Sequence, residues 1–370
     1  MSGDTPLPLV RVQGSHRQMG RQIGETCIDS IHRMLGTYRS GLEVAYDALQ
    51  LTWEDAVLQA KKYYPYALEY TPRYVEELEG MAEAAGVDFD DLMVLNCMEA
   101  ITSDALHLRC TSMAVSGERT RDGHVLVAHN EDWLPEDEEN TYLVHAIPDD
   151  EPPFLAITYG CLLPNIGFNA AGIAQCCDSV YPNDVQVGVP RIFVSRAVLA
   201  ATQLSEAIRR ALMRWRAAGY NHLIADRNGE LYNVEVSAHH FATIYGVEGH
   251  LAHTNNYLTQ RMKQFEDRTE DLIGTRVRVN RATRLLRHTR LHTIETLKAI
   301  LTDHVNYPNS ICSHAEPEDN PLDRQKTIAS MIMDLTTLEM HVCWGNPCVG
   351  TFYTYSLSEG GGLATGTLHI

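Results

Sequence analysis

Apolar residues recur at every fourth position at Met19, Ile23, Cys27, Ile31 and Leu35, which lines them along one face of a helix. Three more helices are expected in the first hundred residues. Thr52, with Asp55 three residues on, marks an N-terminal cap ahead of a helix expected over 53–70. Thr71 and Pro72 open the next, with Val75, Leu78, Met81, Ala82 and Ala85 on its apolar face and Gly86 as its stop. Asp88 and Asp91 begin a shorter one.

At Cys110 the pattern changes to short strands. Residues 111–116 and 124–129 flank Arg121-Asp122-Gly123, and an Asp-Gly pair between apolar stretches signals a hairpin. Strands are expected over 142–147, 154–159 and 172–176, then helices over 191–201 and 205–218. Asn228-Gly229 marks a second hairpin, between 220–225 and 230–235, with more strand over 241–247. A charged segment over 262–301 has helical spacing, and strands over 326–335, 339–344 and 351–355 close the chain. Helices, hairpins, helices and returning strands together predict an α+β fold, antiparallel sheets covered by helices in a single domain over 1–370. The Pro148–Pro153 stretch is short and lies between strands, so it reads as a loop.

Composition removes several function classes. The net charge of −18, from 48 acidic against 30 basic residues, speaks against a nucleic-acid partner, which needs a basic surface to displace counterions. No run of about 18 apolar residues suggests a membrane partner, and the first residues lack the basic start and apolar core of a signal peptide. Cytoplasmic residence is the expectation. Nine cysteines, an odd number without a Cys-x-x-Cys pair, argue against a disulfide scaffold or zinc ribbon. Neither His129 with Glu131 and Asp132 nor Cys312 with His314 completes a four-ligand spacing, so no metal or cofactor is expected.

The informative chemistry is Arg109-Cys110-Thr111-Ser112, with His129-Asn130-Glu131-Asp132-Trp133 on the partner strand of the hairpin. Together they set a thiol at the junction of helix and strand and carboxylates at the end of the next strand. The chain also carries Gly167-Phe168-Asn169-Ala170-Ala171-Gly172, His253-Thr254-Asn255, Asn306-Tyr307-Pro308-Asn309-Ser310-Ile311-Cys312, and Arg324 upstream of Met331-Ile332-Met333-Asp334. In these motifs, and in their order, it resembles the self-processing acyl-coenzyme A:6-aminopenicillanic acid acyltransferases and their amidohydrolase relatives, which are N-terminal-nucleophile hydrolases.

The resemblance implies a four-layer α-β-β-α sandwich. It also implies self-cleavage between Arg109 and Cys110, leaving a small subunit of 1–109 and a large one of 110–370 that stay associated. An N-to-S shift at Cys110 followed by hydrolysis would free an α-amine. Such an amine ordinarily titrates at about 7.7–8.0, so near neutral pH it can act as general base for its own thiol. By matched position, Asp132 resembles the carboxylate that orients this amine, Asn255 the oxyanion donor and Arg324 the active-site arginine. Arg109 stands where the relatives carry glycine, the residue that fits a strained scissile turn most easily, so slower cleavage is expected.

The activity this implies is hydrolysis of a small, non-peptide acyl-amide through a thioester on Cys110. The alternative is an acyltransferase that passes the acyl group from an amide or an acyl-coenzyme A donor to an amine. A different class is an unprocessed, non-enzymatic binding protein with the same fold. A papain-like Cys/His enzyme is a further reading, and the sequence offers no histidine context for it.

Overall fold

Two capping boxes open helices in the N-terminal part, one at the expected Thr52 and one at Ser15, where no cap was expected. Ser15 and Gln18 form a capping box at α1 (His16–Thr26), and Thr52 and Asp55 form another at α4 (Trp53–Tyr70). The computed structural model describes residues 4–102, 109–267, 272–316, 324–357 and 363–364. The four-residue period from Met19 to Leu35 is shared by two helices, because the chain bends at Cys27 between α1 and α2 (Ile28–Val44). After a short α3 (Tyr46–Leu49), α5 (Pro72–Ala85) starts at Pro72 and stops at Gly86, whose φ of 67° suits glycine. Thr71 precedes it as expected, but its hydroxyl donates back to the Ala67 carbonyl rather than capping α5. α6 (Phe89–Ile101) completes the helical N-terminal part. α1 and α5 cross so closely that a Cβ on Gly20 would overlap the Glu77 carbonyl, and one on Gly80 the Arg17 carbonyl.

Among the described residues the strands form two sheets. The first contains β1 (Leu9–Gly14), β4 (Thr141–Pro148), β5 (Phe154–Tyr159), β6 (Ile166–Asn169), β7 (Ile173–Ser179), β8 (Tyr220–Asp226), β9 (Leu231–Val236) and β10 (Phe241–Tyr245), in that order across the sheet. Only the β1–β4 pair is parallel. The second sheet runs β11 (His250–His253), β2 (Arg109–Val115), β3 (Leu126–Trp133), β12 (Lys326–Asp334), β13 (Glu339–Trp344), β14 (Phe352–Ser356), β15 (Leu363–Ala364), all antiparallel.

Side-chain alternation along the strands places the layers. On β4 and β5, Tyr142, Val144, Phe154 and Ala156 join the apolar cluster of α1–α6, while Leu143, Leu155 and Ile157 face the second sheet. That sheet answers with Ala114, Val127, Met331 and Met333. Its other face, with Met113, Val115, Leu126, Ala128 and Ile332, is covered by Val279, Ala282 and Leu286 of α10 (Ile273–His288) and Leu297, Ile300 and Leu301 of α11 (Ile294–Leu301). The result is the α-β-β-α order of layers in an α+β fold.

Several boundaries differ from the sequence expectation. α7 (Arg191–Leu199) lies close to it, but α8 (Leu204–Ala211) ends seven residues before Ala218. There the backbone turns through Trp215, at φ 61°, to pair Ala217 with Val189. Among its described residues the 262–301 segment holds α9 (Gln260–Lys263), α10 and α11, the last opened by a capping box of Thr293 and Thr296. β1, β6 and β11 had no distinct pattern, being short or, like β1, set beside a helix.

Candidate active site

Cys110 sits near the start of β2, opposite Glu131 of β3, while Arg109 stands opposite Asp132. Paired residues on neighbouring strands project to one face and adjacent residues to opposite faces. Cys110 and Glu131 therefore face one side of the sheet and Asp132 the other. Cys110 is 3% exposed, and its Sγ lies 3.6 Å from Glu131 Oε2.

A buried polar network extends from the thiol. Glu131 Oε2 lies 2.8 Å from His129 Nε2, and Glu131 Oε1 accepts from the Tyr159 hydroxyl at 3.1 Å. Ser112 Oγ donates to Asp178 Oδ1 at 2.8 Å, so it accepts from His129 Nδ1 at 2.9 Å. Both His129 nitrogens then act as donors, which is the imidazolium form. Burial pulls the His129 pKa down, but the bonds to Cys110 and Glu131 outweigh it and hold it at about 10. Burial, and next the Glu131 carboxylate, push the Cys110 thiol well above its usual range. Farther along, His253 lies between Asp178, at 3.5 Å, and Glu235, at 3.0 Å.

On the backbone side of Cys110, β11 runs into Thr254 and Asn255, whose N–H donates to Thr275 Oγ1 of α10 at 2.8 Å. Asn255 Oδ1 accepts from the Cys110 N–H at 2.8 Å and from Arg278 Nη2 at 2.8 Å. Its Nδ2 is buried without a hydrogen-bond partner. An unused buried donor costs about 1–3 kcal/mol, and this one leaves hydrogen-bonding capacity free close to Cys110.

Arg278 is the residue that sequence reasoning missed. Its guanidinium is 2% exposed and donates to the Cys110 carbonyl at 2.6 Å and to Thr111 Oγ1 at 3.0 Å, besides Asn255. Desolvating such a cation costs several kcal/mol, so burial lowers its pKa, opposed by Asp132. The signal was present in α10. Thr275, Arg278, Val279, Ala282 and Leu286 share its buried stripe, and an arginine on an apolar helix face invites explanation.

Asp132 is fully buried. Its Oδ1 accepts from Thr327 Oγ1 at 2.6 Å, and its Oδ2 has no hydrogen-bond partner. Burial raises its pKa to about 7, against the pull of Arg278 and Thr327. Arg278 thus bonds both Cys110 and Asn255, while Asp132 acts on it only as a nearby charge, without a hydrogen bond or ion pair. Arg324 is exposed just before β12, with no hydrogen bond or ion pair to the described residues. Arg109 Nη1 donates to Asn309 Oδ1, which ties the residue before Cys110 to the loop after α11. His129 and Glu131 join Cys110 in a set of three close potential ligands, whereas Asp132 is not one of that set. His129 also supplies the histidine context that the papain-like reading lacked.

No described helix is long and apolar enough to cross a membrane. Among curated proteins, the chain is 25% identical over 228 residues to a beta-alanyl-dopamine/carcinine hydrolase of Drosophila melanogaster, covering 55% of this chain and 56% of that one. It is 25% identical over 280 residues to the 40 kDa form of acyl-coenzyme A:6-aminopenicillanic-acid-acyltransferase of Emericella nidulans, covering 75% and 76%. The chain therefore spans little more than half the length of the first of these relatives. Among solved structures, a mutant conjugated bile acid hydrolase from Clostridium perfringens aligns at 14% identity and a TM-score of 0.45, over 70% of this chain and 100% of that one. Penicillin V acylase from Agrobacterium tumefaciens aligns at 14% and 0.44, over 70% and 94%. The sequence profile of the family described as acyl-coenzyme A:6-aminopenicillanic acid acyl-transferase matches residues 119–348, a span that begins after Cys110 and holds Asp132, Asn255, Arg278 and Arg324. With well over half its length matched, this chain belongs to the acyl-coenzyme A:6-aminopenicillanic acid acyl-transferase family.

Proposed function

We propose that the protein is a self-processing cysteine amidohydrolase whose nucleophile is Cys110. The observation that carries this reading is Asn255, which holds the Cys110 nitrogen through Oδ1 while its Nδ2 stays buried and unpartnered beside the same residue. In the first step the Cys110 sulfur attacks the Arg109 carbonyl carbon. The peptide C–N bond breaks as the C–S bond forms, and the thiol proton passes to the departing nitrogen. Water then hydrolyses the thioester, releasing the 1–109 carboxylate and leaving Cys110 with a free α-amine.

That amine remains against Asn255 Oδ1 and takes the thiol proton in turnover. Substrate acylates the sulfur and water releases the acyl group, with Asn255 Nδ2 donating to the oxyanion each time. Asp132, with a free carboxylate oxygen, and Arg278 balance the charge around it. His129 is an electrostatic neighbour rather than the base, because both its nitrogens already carry protons. This arrangement disfavours a papain-like Cys/His pair. The two pieces stay together because β1, from the small piece, is laddered to β4 of the large one, and α1–α6 pack on the same sheet.

The substrate class is a small acyl-amide, in keeping with the hydrolase and acyltransferase relatives, and the net charge of −18 favours cationic amides by steering. Acyl transfer from acyl-coenzyme A to an amine shares the same acyl-enzyme and differs only in what meets the thioester.

Intact mass of wild type and Cys110→Ala tests processing. The expected result is two pieces divided at Arg109/Cys110 in the wild type and one chain in the variant. A wild-type chain that stays whole under all conditions and cleaves no member of an acyl-amide panel, with or without acyl-coenzyme A, would sink the reading and favour a binding protein. Activity without cleavage, lost in His129→Gln, would favour the Cys/His alternative.

A further inference from the structure

The loop after α11 and the turn after β13 bring together four side chains that the candidate active site does not use: His304, Cys312, His314 and Cys348. Their donor atoms all lie within 4.8 Å of one another. His314 Nε2 stands 3.1 Å from His304 Nε2, 3.5 Å from Cys312 Sγ and 3.6 Å from Cys348 Sγ. A ring nitrogen has either one proton or one lone pair, along a single direction. It cannot satisfy three neighbours at once, and two Nε2 atoms face to face leave one of them without a complementary partner. A cation at the centre satisfies all four.

The spacing fits a tetrahedral ion. With bonds of about 2.3 Å to sulfur and 2.0–2.1 Å to nitrogen, tetrahedral zinc separates its ligands by about 3.3 Å for N···N and about 3.5 Å for N···S. The observed 3.1, 3.5 and 3.6 Å lie close to both values. Two thiolates and two imidazoles also select zinc over the hard, oxygen-seeking cations. The surroundings suit a thiolate, since Asn346 Nδ2 donates to Cys312 Sγ at 3.5 Å and is itself fixed on the Ser313 carbonyl at 2.7 Å. Sequence spacing alone hid the site, because Cys348 is far from the other three and reaches them only through the β12–β13 hairpin.

We propose that His304, Cys312, His314 and Cys348 form a structural zinc site. Four protein ligands leave no open position for substrate or water. The ligands Cys312 and His314 bracket Ser313, whose N–H donates to Thr327 Oγ1 at 3.0 Å and whose carbonyl accepts the Thr327 N–H at 3.0 Å. Thr327 in turn donates to Asp132. The ion thus anchors the loop that sets Asp132, and the same loop carries Asn309, which holds Arg109.

The test uses untagged full-length protein purified under mild reducing conditions, incubated with zinc and dialysed, then analysed by elemental mass spectrometry. About one zinc per chain is expected in wild type and in His239→Ala, a control distant in sequence. His304→Ala and Cys348→Ser should hold less than about a fifth of that. His304 is exposed, so its loss does not threaten folding. Cobalt in place of zinc should give a thiolate-to-metal charge-transfer band that Cys348→Ser weakens, and a chelator should lower the wild-type melting temperature but not that of His304→Ala. Metal-free wild type after zinc loading, or equal zinc in wild type and both ligand variants, overturns the proposal. So does a Cys312–Cys348 disulfide that persists under the reducing conditions.

Discussion

Asn255 is the position where stability and chemistry can be separated most cleanly. Asn255→Ala removes the acceptor for the Cys110 N–H and for Arg278 Nη2, each at 2.8 Å. A buried N–H left unpaired costs about 1–3 kcal/mol, and a lost bond to a charged group about 1.5–3 kcal/mol, so the variant should lose roughly 3–5 kcal/mol. Asn255→Asp keeps an acceptor oxygen for both donors in the same shape, and beside Arg278 its carboxylate is compensated. What it removes is the Nδ2 donor, and loss of one oxyanion donor costs about 10²–10³ in kcat. Denaturant melts should therefore place Asn255→Asp within about 1 kcal/mol of wild type, while its turnover of a chromogenic acyl-amide falls at least about 100-fold with KM little changed. Both variants should also process more slowly by intact mass. A well-folded Asn255→Asp enzyme with kcat within about fivefold of wild type would refute the oxyanion role.

Arg278→Met strips the guanidinium from the Cys110 carbonyl, Thr111 Oγ1 and Asn255 Oδ1; each lost bond to a charged donor costs about 1.5–3 kcal/mol, so denaturant melts should show a loss of at least about 3 kcal/mol, and processing should stop. Thr327→Val removes the donor to Asp132 Oδ1, so the Asp132 pKa, already about 7, should rise, and the acid limb of the pH–rate profile should move to higher pH; an unmoved limb would exclude Asp132 from turnover. For His253, burial pulls the pKa down but Asp178 and Glu235 raise it to about 9, above an unfolded value near 6.5. The stability it contributes, on the order of 3 kcal/mol, is present in full below about pH 6.5 and is lost as pH rises through 9. Urea melts from pH 6 to 10 on Cys110→Ala should show that loss together with the one from His129, whose pKa is also raised, and His253→Gln should remove only the His253 share.

Local structure was legible where a cap, a stop or a period was strong. Thr52 with Asp55, Pro72, Gly86 and Asn228-Gly229 each fix a few backbone groups through their own side chain or φ, so they act without tertiary help. α8 failed because Ala217 pairs with Val189, a contact from another part of the chain. The single face from Met19 to Leu35 concealed a bend at Cys27, since both helices bury that face against the same core.

The site divided along the same line. Cys110, Asp132 and Asn255 were reached by a resemblance of short motifs; the structure bonds the Cys110 nitrogen to Asn255 and sets Asp132 on the opposite face of the β2–β3 pair. Arg278 lay inside a charged helix whose composition suggested solvent, and only its place on the apolar stripe distinguishes it from Arg276 or Arg281. Arg324 was chosen by motif position, whereas the structure leaves it exposed before β12. His304 and Cys348 gained meaning only when two distant segments met, which no spacing rule along the chain reports.

In the proposed reaction the acyl group passes through the Cys110 sulfur. Wild-type protein quenched during turnover of a slow acyl-amide and mapped by peptide mass spectrometry tests it directly. One acyl adduct is expected, released by hydroxylamine as a thioester should be, on the peptide that begins with Cys110, with no turnover in Cys110→Ala. An adduct on another residue, or turnover that survives in Cys110→Ala, would contradict it.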